Sequence, residues 1–180
     1  FDKEKFKKHL GLKKHVFLFF GFIRKYKGLH HVIQAFHKLQ QERDDVSLLI
    51  CGEDFWNTVD HSKFSVKIKK IIFGLAKKVF LRTNNDEQDY RPLETIKHLG
   101  VQDCHVFSDF IPNEDVSKYF QVSDAVLLFY LYATPSGVES LSYNFRLPAL
   151  ATKVGHFPET INDGVDGYLA EAGSLESMKE

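Results

Sequence analysis

Apolar runs rich in Val, Ile, Leu and Phe recur along this chain, and helical patterns separate them. HVFLFFGF (15–22), VSLLICG (46–52), CHVFSDF (104–110), AVLLFYL (125–131) and PALAT (148–152) are nearly unbroken by polar residues, with YLA (168–170) as a short sixth. Runs that are apolar on both faces belong to strands buried on both sides, the situation inside a parallel sheet. GLHHVIQAFHKLQQER (28–43), NEDVSKYFQV (113–122) and GVESLSYNFR (137–146) read as helices between them. Asn113 is a plausible N-cap for the second of these. The alternation predicts an α/β fold: a doubly wound, Rossmann-like parallel sheet of about six strands with helices on both faces.

At 180 residues the chain has the length of a single domain. The interval from Glu53 to Gln102 is too long for one crossover. It predicts a helical insertion around 54–100, with helices near 63–81 and 87–99 flanking the polar loop RTNNDEQDYRP. The first helix, KFSVKIKKIIFGLAKKVFLR, holds seven cations and no acid. Such a segment could touch a membrane surface or an acidic partner; a core-facing helix with a solvated outer face is the alternative. The chain starts at Phe1, and GSLESMKE (173–180) stops where a helix is expected to begin. It therefore reads as part of a longer protein.

Charge and cysteine content narrow the function. Lys plus Arg equals Asp plus Glu at 24 each, so no global field favours nucleic acid, and electrostatic function must be local. Cys51 and Cys104 sit in apolar surroundings without metal-type spacing, which fits buried thiols and a cytoplasmic setting. No run is long enough for a transmembrane helix, and FDKEKFKKHLGL is no signal peptide.

Ligands of open parallel sheets bind beyond the carboxyl ends of the strands, and three segments place informative residues there. In FGFIRKYKGL (19–28), Gly21 allows a tight turn, and Arg24 and Lys27 can converge on one anion before Gly28 enters a helix. Cations are unfavourable at a helix N-terminus, and a bound diphosphate would satisfy both them and the dipole. A solvated basic loop is the alternative, with Lys25 facing solvent in either case. In YATPSGVESL (132–141), Ser136 and Glu139 have capping-box spacing, and the N–H groups of Gly137 and Val138 are expected to face a phosphate. In ALATKVGHFPETINDGVDGYL (149–169), Gly155 opens a turn and His156 is a lone loop histidine, solvated unless a ligand engages it. No metal-ligand spacing, GxGxxG, GxSxG or phosphate-loop motif occurs.

In this order the stretches FFGFIRKYKGLHHVIQAF, LLICGE, VFSDFIPNEDVSKYFQVSDAVLLFY and PSGVESLSYNFRLPALATKVGHFPETINDGVDGYL resemble the C-terminal domain of a GT-B-fold retaining glycosyltransferase, glycosyl transferases group 1 family. The resemblance implies that residues 1–180 form one nucleotide-sugar-binding domain of a two-domain protein. Its donor would be a nucleotide-diphosphate sugar, its reaction a hexosyl-type transfer in glycan biosynthesis, and its acceptor would sit on a separate N-terminal domain. No cofactor beyond the donor and no metal are implied, and the isolated domain would be inactive. The setting implied is cytoplasmic, with an inner-membrane surface as a further contact.

Residue by residue, Arg24 and Lys27 match the basic pair that neutralises the diphosphate leaving group. Ser136, Gly137 and Val138, followed by Glu139, match the turn whose amides contact the same phosphates. Gly21 and Gly52 match positions lining the nucleotide cleft, and Phe110 and Ile111 match the segment flanking the base. Two departures stand out. Phe22 occupies the place of an arginine common in relatives. Ala133 and Leu141 occupy the places of two glutamates, one of which usually contacts the donor ribose or sugar. A nucleotide-sugar epimerase on the same fold, or a non-catalytic module binding a partner or membrane, are the alternatives.

Overall fold

The computed structural model describes residues 1–53, 89–132 and 136–180. Six strands, β1 His15–Phe20, β2 Val46–Cys51, β3 Cys104–Phe107, β4 Ala125–Leu128, β5 Ala149–Thr152 and β6 Gly167–Ala170, form one sheet. The described helices are α1 Lys3–His9, α2 Leu29–Gln40, α3 Pro92–Leu99, α4 Asn113–Val122, α5 Gly137–Asn144, α6 Phe157–Thr160 and α7 Leu175–Lys179. Every strand pair is parallel, in the order β3-β2-β1-β4-β5-β6. The order reverses at β1, which pairs with β2 on one side and β4 on the other. That reversal opens a crevice at the carboxyl ends of the two strands.

Side-chain alternation along the strands divides the core into two layers. Val16 and Leu18 of β1 pack with Phe120, Val122, Tyr130 and Phe157, beneath α4 to α6. Phe19, on the opposite phase of the strand, packs with Leu29, Ile33, Phe36, Leu48 and Ile50, beneath α2. Helix α2 buries Leu29, Val32, Ile33 and Phe36, the spacing that brings residues to one helical face. Its flanks contact α3 and α7.

Several boundaries differ from the sequence expectation, each for a local reason. The fourth apolar run outlasts its strand: Phe129 and Tyr130 are buried, but past Leu128 the chain leaves the ladder. There the Tyr130 carbonyl accepts from Thr152 Oγ1 at 2.6 Å, and the Leu131 N–H donates to Tyr26 O at 2.7 Å. Asn113 is not an N-cap. It is the first residue of α4, Pro112 is the cap, and the Pro112 carbonyl accepts the Asp115 N–H at 2.8 Å. Helix α1 went unforeseen because its polar, lysine-rich sequence buries no residue. The second insertion helix is α3, begun by Pro92 where a missing N–H costs nothing. The basic segment expected at 63–81 lies outside the described residues.

Candidate functional site

Past the strand ends, single hydrogen bonds continue the ladder. The Gly21 N–H donates to Cys51 O (2.8 Å), Ile23 N–H to Glu53 O (3.1 Å) and Gly52 N–H to Phe107 O (3.0 Å). A Cβ at Gly52 would lie 2.2 Å from Gly21 O, so only glycine lets the two strand exits approach this closely. The chain then makes a 3-10 turn over Lys25–Lys27, closed by Gly28 at φ 66. A Cβ at Gly28 would lie 1.9 Å from Phe129 O. Gly28 therefore meets both a left-handed backbone requirement and a steric one.

This turn brings Lys27 back over Gly21. A Cβ at Gly21 would stand 2.8 Å from Lys27 Nζ and 3.6 Å from Val138 Cγ2, so the ammonium, the β1 exit and the first turn of α5 share one small space. Lys27 is only 8% exposed. Its Nζ lies 6.0 Å from the centroid of the Tyr130 ring, and among the described residues no carboxylate pairs with it. Burial and then the Arg24 charge pull its pKa from 10.5 down to about 8. A buried cation beside a second cation is unfavourable without an anion. The neighbouring histidines add no charge at neutral pH: burial, then His31 and Lys25, take His30 down to about 4, and burial lowers His31. Lys25, expected to face solvent, is half-buried and near enough to His30 to act on it.

The turn after β4 offers backbone dipoles. Ser136 caps α5 by accepting the Val138 N–H at 3.3 Å, and its Oγ also meets the Tyr130 hydroxyl at 3.2 Å. The reciprocal capping box does not form. Glu139 is 6% exposed and turns its carboxylate to His156 Nε2 (2.6 Å) and Thr160 Oγ1, two side-chain donors that satisfy a buried carboxylate. Val138, whose N–H was expected to face a phosphate, has spent it on Ser136. The amides of Gly137 and Glu139 have no acceptor among the described residues. A Cβ at Gly137 would meet nothing within 4 Å, so the approach to these amides is open.

Gly21, Gly52, Phe110 and Ile111 all line a cavity of about 430 Å³ at the ends of β1, β2 and β3. Phe22, the departure from the family pattern, is 53% exposed and forms part of its wall. A larger cavity of about 710 Å³ lies on the α2–α7 face, towards the amino ends of the strands at His15, Val46, Asp124 and Pro148. That is the wrong end of a parallel sheet for a ligand. Among the described residues no cluster of three or more His, Cys, Asp or Glu side chains could hold a metal ion. No helix among them is long and apolar enough to cross a membrane.

Two contributors escaped the sequence reading. Tyr130 looked like strand core, yet its ring underlies Lys27 and its hydroxyl meets Ser136. His156, expected to be solvated, ties the turn after β5 to Glu139. The order of turn glycines after β4 and β5 marked the two segments but not the bond between them.

The family model for glycosyl transferases group 1 matches residues 1–180. The chain belongs to that family. A curated relative, spore coat protein SA of Bacillus subtilis, is 25% identical over 174 residues, covering 93% of this chain and 38% of that protein. Among solved structures, the C-terminal domain of the Francisella tularensis glycosyl transferase group 1 protein LpcC superposes with a TM-score of 0.68 at 18% identity, covering 99% of this chain and 78% of that one. Anabaena HepE in complex with UDP-glucose superposes with a TM-score of 0.69 at 17% identity, covering 98% of this chain and 40% of that one. The chain thus spans well under half the length of spore coat protein SA and HepE. In this glycosyl transferase group 1 domain, Lys27 Nζ and the Val138 side chain of α5 both lie close to Gly21 at the switch point.

Proposed function

We propose that this domain binds the nucleotide-diphosphate sugar donor of a glycosyltransferase, with the acceptor held by a separate N-terminal domain. The observation that carries the reading is Lys27: a buried ammonium with no carboxylate partner among the described residues, close to Gly21 at the switch point, where Val138 of α5 also approaches. Solved relatives bound to UDP and UDP-glucose support a uridine nucleotide as the first donor to try.

Departure of a nucleoside diphosphate from the anomeric carbon builds negative charge on phosphate oxygens. Lys27 and Arg24 supply fixed positive charge to one side of that group, and the Gly137 and Glu139 amides supply dipoles to the other. Such donors cost no reorganisation at the moment of reaction. In a site as dry as the one around Lys27, each contact is stronger than in water. Transfer of a hexosyl unit during glycan assembly is the reaction class we assign. The free thiols Cys51 and Cys104 fit a reducing, cytoplasmic setting, and the basic segment at 63–81 is the part suited to a membrane surface.

Calorimetric titration of the chain with UDP tests this reading. Saturable binding is expected, weakened at least tenfold in Lys27→Ala and in Arg24→Ala. A folded chain that binds neither UDP, ADP nor GDP at millimolar concentration would refute it.

A further inference from the structure

The order of strands lays out the order of a nucleotide. Phe110 and Ile111 follow β3, Gly52 and Glu53 follow β2, Gly21 and Lys27 follow β1, and Ser136 to Glu139 precede and open α5 after β4. Neighbouring strands are about 4.8 Å apart, so β3 to β1 spans roughly the length of a nucleoside. With the diphosphate at Lys27 and the base beside Phe110, the position between them belongs to the residues that end β2.

We infer that Glu53 accepts the ribose hydroxyls of the bound nucleotide, an assignment that rests on the donor-binding reading above. Glu53 lines the 430 Å³ cavity and is half-buried there. Its main chain is held from both sides, by Ile23 N–H on its carbonyl and by the Gly52–Phe107 bond one residue earlier. The carboxylate itself bonds to no described residue. An ionised carboxylate can only accept, and a ribose diol presents two adjacent donors. The other polar side chains at this cavity, Asp109 and Asn113, are exposed at its outer rim. The wall contributed by α5 is Leu141, whose side chain offers no hydrogen bond. Among the described residues the cavity therefore has one half-buried carboxylate, and it stands where a ribose would lie.

The test compares UDP with 2′,3′-dideoxy-UDP, by titration calorimetry, on the chain and on two isosteric variants. The unmodified chain should bind UDP about tenfold or more tightly than the dideoxy analogue, as loss of hydrogen bonds to a charged group requires. In Glu53→Gln the ratio should fall to within about threefold, with an unchanged thermal midpoint as the control for folding. In Asp109→Asn the ratio should persist. A ratio that survives Glu53→Gln, or that disappears in Asp109→Asn instead, overturns the assignment to Glu53. UDP binding that depends on Lys27 but never discriminates ribose also overturns it, while leaving the donor reading standing. Failure of UDP, ADP and GDP alike would remove both.

Discussion

The two turns that face each other across the switch point reach similar ends by different means. The β1 turn presents side-chain charge: Lys27, 8% exposed, with Arg24 beside it. The β4 turn presents main-chain dipoles, the amides of Gly137 and Glu139, in front of open space. Side-chain charge in a dry place is strong but conditional, because burial competes with ionisation. A helix N-terminus carries a weaker field that cannot titrate away. The two glycines that serve these turns differ in the same sense. Gly28 is locked by its surroundings, whereas Gly137 stands free.

Gly28→Ala should therefore have the largest effect, and on folding rather than binding. A methyl group 1.9 Å from Phe129 O forces the turn and β4 apart. The left-handed φ of 66 adds a strain of about 1 kcal/mol for alanine. With overpacking costs of about 1–3 kcal/mol, urea denaturation should show a loss of roughly 2–4 kcal/mol. A change under 1 kcal/mol would mean that the β1 turn is not held by this contact.

Lys27→Met separates the two turns most directly, because its effects on binding and stability have opposite signs. Losing a charge-assisted contact to phosphate should weaken UDP binding by about 2–3 kcal/mol, thirtyfold or more. Removing a buried cation that has no carboxylate partner among the described residues should leave the thermal midpoint unchanged or raised. A lowered midpoint with intact binding would make Lys27 a structural residue and leave Arg24 and the β4 turn to hold the ligand.

The same lysine predicts the pH response. Its folded pKa is about 8 against 10.5 for the ordinary side chain. Between these values the unfolded chain binds the extra proton, so stability rises with pH across the window. UDP binding runs the other way. Its phosphates are already ionised there, and binding favours charged Lys27. Affinity should hold up to about pH 8 and then fall by up to about tenfold per unit. In Lys27→Met the profile should be flat, leaving the charge of Arg24, which does not titrate in this range, and the field of the β4 turn. A slope that persists in the variant would assign the titration elsewhere.

These contrasts were only partly legible in the sequence. Periodicity located all six strands, because residues such as Val16, Leu18 and Phe19 must be apolar when both faces are covered. Glycines marked the turns where strand exits crowd together. Spacing could not reveal which donor Ser136 would serve, because Val138 and Glu139 amides are both within reach of a cap. Nor could it show that Glu139 would turn away to His156, seventeen residues on, since that bond depends on how α5 and α6 pack. The depressed pKa of Lys27 was likewise invisible, because its larger cause is burial in the folded structure, with the Arg24 charge second.

The smallest effects belong to the β4 turn, and they sharpen the comparison because side-chain changes barely touch a main-chain device. Ser136→Ala removes the cap on Val138 N–H and should cost about 1 kcal/mol of stability. The freed amide then joins those of Gly137 and Glu139, so UDP affinity should change by less than about threefold in either direction, under 1 kcal/mol. Gly137→Ala should be neutral or mildly stabilising, by up to about 1 kcal/mol, since the added methyl meets no atom and alanine favours the helix. That methyl would instead occupy the approach to the amides. A modest loss of UDP affinity with a raised midpoint is the expected signature, measured by calorimetry and thermal melting on one preparation. Unchanged affinity in Gly137→Ala would show that the phosphates do not reach this turn, and the cations of the β1 turn would then carry the diphosphate by themselves.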